Sequence, residues 1–182
     1  MGQPLTATVD GPELLRPLVA QWDVSLEMFL DRLDGLTDDE YRWRPTHVAV
    51  DLVEDGAGNL VVQSHAETGG TRTIAWTLGH LADMCWARAD YTDGDKSRPT
   101  DYQPFPGTAD AALEDLRGAT ARWRSAIVNA SPEQALQVGY SGWPHGWDRD
   151  LPFVDIVWWM NRELIAHASD ASTVRDLYAA GG

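Results

Sequence analysis

Glu163 and His167 lie four residues apart in a stretch, residues 154–178, whose apolar side chains recur at helical spacing. At ~3.6 residues per turn, both fall on the apolar face of the predicted helix. The apolar members of that face are Ile156, Trp159, Met160, Ala171, Val174, Leu177 and Tyr178. Asp170 lies within the same arc. Because a buried carboxylate is costly unless it is paired or bound to a metal, these residues predict a cation that a third ligand from another helix completes.

His80 is the best candidate for that third ligand. It lies on a predicted helix over about residues 73–89, on a flank beside the main core face. Two imidazoles and one carboxylate leave open positions on a metal, as in catalytic zinc sites and non-haem iron sites. The other histidines lie in predicted loops or strands, where we interpret them as solvated or locally bonded: His47, His65 and His145.

A metal-free interpretation stays open at this point. Glu163 would pair with a protonated His80, and His167 would pair with Asp170, in a buried network of hydrogen bonds. With a metal, Asp170 would orient a ligand imidazole or act as a general base. Alternatively, Asp170 accepts a hydrogen bond from an N–H group of a neighbouring loop. The apolar setting of Glu163 and His167 together favours the metal, because E-x-x-x-H pairs on helices are otherwise usually surface pairs.

Nine tryptophans are many for a chain of this length. Those near the candidate ligands in sequence either pack in the core or form the wall of a pocket for a small organic ligand: Trp76, Trp86, Trp158 and Trp159. Of these, Trp76 and Trp159 are the predicted substrate contacts. The single cysteine, Cys85, lies on an apolar helix face and is interpreted as a core residue.

Four long amphipathic stretches predict an all-α fold. They cover residues 14–33, 73–89, 109–129 and 154–178, and a small β-hairpin, residues 48–53 and 60–63, is inserted between the first two. We expect a four-helix bundle in a single domain, residues 1–182. The long links after the first and second helices allow crossover connections, so spacing leaves the topology open.

The net charge is −14, from 14 basic and 28 acidic residues. This charge argues against nucleic acid and anionic membranes as partners. No stretch approaches the ~20 apolar residues of a membrane span, and no signal peptide is evident at the beginning. We therefore expect a cytoplasmic protein that acts on a small molecule.

Three segments carry a family resemblance: LTDDEYRWRP (residues 36–45), TIAWTLGHL (73–81) and WWMNRELIAHASDASTVRDLY (158–178). They resemble the DinB/YfiT-like superfamily, in particular a DinB-family branch frequent in high-GC bacteria. The resemblance implies a bundle wound up-down-down-up that binds zinc, nickel or sometimes iron. The implied ligands are His80, Glu163 and His167. Glu163 stands where many members have histidine, and Ala166 replaces one of two adjacent histidines of the branch.

Characterised relatives include transferases that use the thiols mycothiol or bacillithiol, a mycothiol-dependent maleylpyruvate isomerase, and amide-type hydrolases. The resemblance thus implies a metal-dependent enzyme, first a mycothiol-type S-transferase and second a hydrolase, with Asp170 moving a proton. The alternative is a non-catalytic small-ligand-binding protein that contains a polar network and no metal. A homodimer is a further expectation, since superfamily members often form dimers.

Overall fold

Helices dominate the computed structural model, which describes residues 9–63, 70–99, 101, 103–142 and 148–181. The elements in chain order are α1 (Arg16–Arg32), α2 (Asp38–Arg42), β1 (Leu52–Glu54), β2 (Leu60–Val62), α3 (Ile74–Asp93), α4 (Ala109–Val128), α5 (Pro132–Leu136), a 3₁₀ turn (Asp148–Asp150) and α6 (Phe153–Ala179). The long helices α1, α3, α4 and α6 form the bundle. The all-α prediction, with a small hairpin between the first two long helices, is confirmed.

The first and last of the long helices, α1 and α6, run parallel. Near their beginnings, Asn161 Nδ2 donates to the carbonyl of Leu18 at 2.8 Å. Near their ends, Arg32 pairs with Asp176. These contacts join residues at the same end of both helices, so the two must point the same way.

The second pair, α3 and α4, is also parallel. Trp86 contacts Asp115. About two turns further along both helices, Asp93 pairs with Arg122. Across the bundle the direction reverses: α3 is antiparallel to α6, and α4 is antiparallel to α1. The winding is therefore up-down-down-up, as the family resemblance implies.

Side-chain caps fix where α3 and α5 begin. Thr73 Oγ1 accepts from the backbone N–H of Trp76 at 3.0 Å, which satisfies one of the unpaired donors at a helix start. Ser131 and Gln134 form a complete capping box at the beginning of α5. The helix α3 continues to Asp93, beyond the predicted end near residue 89. In its last turn the buried Thr92 hydroxyl donates to the carbonyl of Arg88.

The interior of the bundle contains the apolar stripes of all four long helices. In α6 the predicted core face is confirmed for Ile156, Met160, Ala171 and Val174. It is wrong for Leu177, whose residue is 48% exposed. The reason is helix length, because the last turn of α6 extends past Arg32, the last residue of α1.

The hairpin lies against the beginning of α3. Its strands are antiparallel and pair Leu52 with Val62. The predicted first strand began too early, because Val50 instead forms a parallel bridge with Arg72. The Val50 side chain packs with Val62 and Trp76 in a small cluster of its own. The hairpin thereby fixes the residues just before and just inside α3.

Substitution by alanine should change the stability of the protein differently at two helical glycines. A Cβ at Gly118 would lie 3.4 Å from Trp86 Cζ2, an ordinary contact, so Gly118→Ala should stabilise the protein by up to about 1 kcal/mol. A Cβ at Gly79 would lie 2.9 Å from Val62 Cγ2 and 3.1 Å from Phe105 Cδ1. Gly79→Ala should therefore lose that gain or destabilise. Urea unfolding of both variants tests this, and equal stabilisation by both would contradict the packing of the hairpin on α3.

Candidate metal centre

The three predicted ligands meet between α3 and α6. His80 projects from α3, and Glu163 and His167 project from adjacent turns of α6. One potential ligand atom of each residue lies within 4.8 Å of those of the other two. Glu163 Oε2 is 3.2 Å from His167 Nε2, and the two imidazole rings are 4.8 Å apart between centroids at an interplanar angle of 75°. Residues distant in sequence are thus brought to one point.

The three side chains are largely covered. The side chains of Glu163 and His167 are 14% and 5% exposed, and the residue His80 is 8% exposed. Solvent therefore screens charges at this point less than it would at the surface. A polar cluster in this setting needs partners, which can be protein groups or a cation.

This donor set fits a divalent metal. Ligand atoms at 2.0–2.2 Å from a cation are about 2.8–3.6 Å from one another in octahedral or tetrahedral geometry. The separation of 3.2 Å between Glu163 and His167 falls in that range. The other separations do not exceed 4.8 Å, so the three donors lie close enough together to share one ion. His80, Glu163 and His167 could therefore hold a metal ion.

Trp76 forms one wall of the cluster. Its ring stacks on His80 at 4.7 Å between centroids and 15° between planes, and it lies 5.6 Å from the ring of His167. The indole N–H donates to the carbonyl of Gln63 at 2.8 Å. Because Trp76 is fully buried, it fixes the position of the His80 ring and excludes water from one side.

The four tryptophans do not form one wall. Trp159 is half-buried one turn before Glu163, and the guanidinium carbon of Arg88 lies 5.5 Å from its ring centroid. Trp86 lies toward α4 and donates to Asp115 at 3.3 Å. Trp158 is 58% exposed on the outer side of α6. The position of each tryptophan around its helix decides which way its side chain points. Closeness to the candidate ligands in sequence does not.

Asp170 departs from the buried position that the helical arc predicts. Its side chain is 45% exposed, and Oδ2 lies 3.9 Å from His167 Nδ1, too far for a direct hydrogen bond. The same oxygen accepts from Arg72 Nη1 at 2.6 Å. The partner of Asp170 is therefore an arginine that precedes α3, and its carboxylate reaches solvent.

Two arginines at the site were not predicted. Arg72 joins Asp170, and Arg162 Nη1 donates to Glu163 Oε1 at 2.5 Å. Only their positions in the sequence could have indicated them. Arg162 directly precedes Glu163, and Arg72, Trp76 and His80 follow one another at intervals of four residues. These two cations balance the two carboxylates, so the four charged side chains sum to zero before any metal is counted.

A second buried ion pair lies further along α3. Arg88 Nη2 contacts Asp148 Oδ2, and Arg88 Nη1 donates to the carbonyl of Ser141 at 3.2 Å. The two charged side chains are 7% and 9% exposed. This pair joins the 3₁₀ turn before α6 to α3 and holds a cation against Trp159.

Among the described residues, the metal-ligand group consists of His80, Glu163 and His167, without the other candidate groups. His47 is exposed, whereas His65 and His145 fall outside the described residues. Cys85 is fully buried, and burial raises the pKa of its thiol, so the core interpretation is confirmed. Among the described helices, none has the length and apolar character needed to traverse a bilayer.

Comparison with known proteins gives one match. The model of a protein family described as the DinB superfamily matches residues 21–171, a range that includes all three candidate ligands. No curated protein and no solved structure matches the chain.

Proposed function

Because the chain belongs to the DinB superfamily, we propose that it is a metal-dependent enzyme of small-molecule metabolism that uses His80, Glu163 and His167 as ligands. The observation that supports the proposal is the convergence of these three donors from two helices at a largely covered point. When bound, a divalent cation at such a site lowers the pKa of a thiol or a water so that a nucleophile forms near neutral pH. Zinc is our first choice, and nickel or iron are the others.

The reaction that we propose first is transfer to a thiol co-substrate of the mycothiol type, and hydrolysis is second. Trp76 and Trp159 would line the apolar side of the substrate position. Asp170 would accept the proton that the nucleophile loses and release it to water, because its carboxylate is close to His167 and also reaches solvent. The net charge of −14 supports a small molecule rather than nucleic acid as the partner. A cytoplasmic location and a homodimer remain part of this proposal.

Metal analysis of the purified protein tests the proposal directly. After removal of bound metal with a chelator, the protein should take up close to one equivalent of zinc, nickel or ferrous iron per chain. His80→Ala should abolish the uptake, whereas His47→Ala, a histidine on the exposed surface, should leave it unchanged. Uptake below about a tenth of an equivalent with every metal would remove the metalloenzyme hypothesis.

A second candidate function follows from the contacts within the cluster. Glu163 already has two protein partners, Arg162 at 2.5 Å and His167 at 3.2 Å. This network supports a non-catalytic module that binds a small apolar ligand beside Trp159 without a metal. Such a module would bind ligand equally well before and after chelation.

A further inference from the structure

Arg72 is at the edge of the candidate metal centre. Its guanidinium carbon lies 5.3 Å from the ring centroid of Trp76, which in turn stacks on His80. Its Nη1 reaches Asp170 Oδ2, the oxygen that is 3.9 Å from His167 Nδ1. One aromatic ring and one carboxylate oxygen therefore connect Arg72 to two of the three candidate ligands, His80 and His167.

The side chain of Arg72 is also held in place while part of it reaches solvent. The bridge between Val50 and Arg72 fixes its backbone, and 28% of the side chain is exposed. A guanidinium presents its N–H donors in a rigid planar fork that matches a carboxylate. An anion that enters from solvent would thus meet an oriented cation beside the centre.

The charge around the centre also favours an anion. Arg72 and Arg162 balance Glu163 and Asp170, so a divalent cation would leave two positive charges. A bound thiolate or hydroxide would cancel one of them. The remaining positive charge favours a further anion, chiefly near the covered ligands, because solvent screens Arg162 and Asp170, whose side chains are 59% and 45% exposed, more strongly.

We propose that the substrate of this site carries a carboxylate, and that Arg72 binds this carboxylate while the reacting end lies at His80, Glu163 and His167. This inference rests on the proposed function and names a substrate class for it: small organic acids. Arg72 sets specificity through the carboxylate, and the hydrophobic part of the acid would lie against Trp159.

Simple thiol acids provide the test. Protein loaded with cobalt(II) is titrated with mercaptoacetate, 3-mercaptopropionate and 4-mercaptobutyrate, and with the methyl ester of each. Sulfur bound to cobalt gives a charge-transfer absorption that reports binding without turnover. At least one acid should bind about tenfold more tightly than its ester, as expected for one charge-assisted contact.

Three variants assign that preference to Arg72. Arg72→Gln should bind acid and ester equally, and Arg72→Lys should keep part of the preference. Arg117→Gln removes one positive charge from an exposed position of α4 and should behave as the wild type. The inference is wrong if cobalt binds but the wild type shows no preference for any acid over its ester. It is also wrong if Arg72→Gln retains the preference of the wild type. Failure to bind cobalt at all would instead overturn the proposed function and this inference together.

Discussion

Glu163→Gln should lose metal affinity by more than about a hundredfold, because loss of a group that only orients a ligand already costs 10–100-fold. The amide keeps the size of the side chain but removes the negative charge that a cation needs. The measurement is a competition titration of zinc against a chromogenic chelator, at fixed pH. Glu114→Gln on the exposed side of α4 is the matched control and should retain full affinity.

The same variant separates the two candidate functions. An enzyme of the proposed kind should lose metal affinity and activity together. A binding module should keep its ligand affinity and change mainly in stability, because Arg162 and His167 lose their common partner. Full zinc affinity in Glu163→Gln would show that this carboxylate is not a ligand.

Arg88→Met should destabilise the protein by about 3–5 kcal/mol, since it leaves the carboxylate of Asp148 buried without its cation. The double variant Arg88→Met with Asp148→Leu should recover most of that loss, because it removes both buried charges and substitutes apolar groups. Chemical denaturation of the two single variants and the double variant gives the coupling energy of the pair.

A partly exposed ion pair that joins α3 to α4 provides the comparison. The side chains of Asp93 and Arg122 are 32% and 34% exposed. Arg122→Gln should therefore lower the free energy of unfolding by less than about 1 kcal/mol. A similar loss in Arg88→Met and Arg122→Gln would mean that the burial of Arg88 carries no energetic weight. A double variant no more stable than Arg88→Met would show that the loss comes from the packing of Arg88 on Trp159.

Periodicity accounts for what could be predicted. The long helices form where apolar residues recur at three and four residue steps, and these stripes are the ones that pack in the bundle. The convergence of Glu163, His167 and His80 was predictable for the same reason. Ionisable groups in the middle of an apolar stripe are expected to point inward, where facing helices of a bundle bring such groups together. The expectation holds for these three residues and fails for Asp170 at the edge of the site.

What could not be predicted depends on tertiary contacts outside the helices. Arg72 lies before α3, where no period applies, and its position follows from the bridge to Val50. Asp170 pairs with this arginine, and its side chain is 45% exposed. Arg88 was visible as a charge among the small and apolar residues of α3, but its partner Asp148 lies in an irregular segment whose approach to the helix only the fold defines.

The parallel pairing of α1 with α6 has a consequence for the rate of folding. A bundle of successive antiparallel hairpins can form from contacts between neighbours in sequence, which is why such bundles fold quickly. Here α1 cannot complete its packing until α6 is present. Its apolar stripe, which includes Val19, Trp22 and Phe29, therefore stays partly exposed until that step. Contacts between the two ends of the chain raise the contact order, so the protein should acquire its native structure more slowly than an up-and-down bundle of equal length.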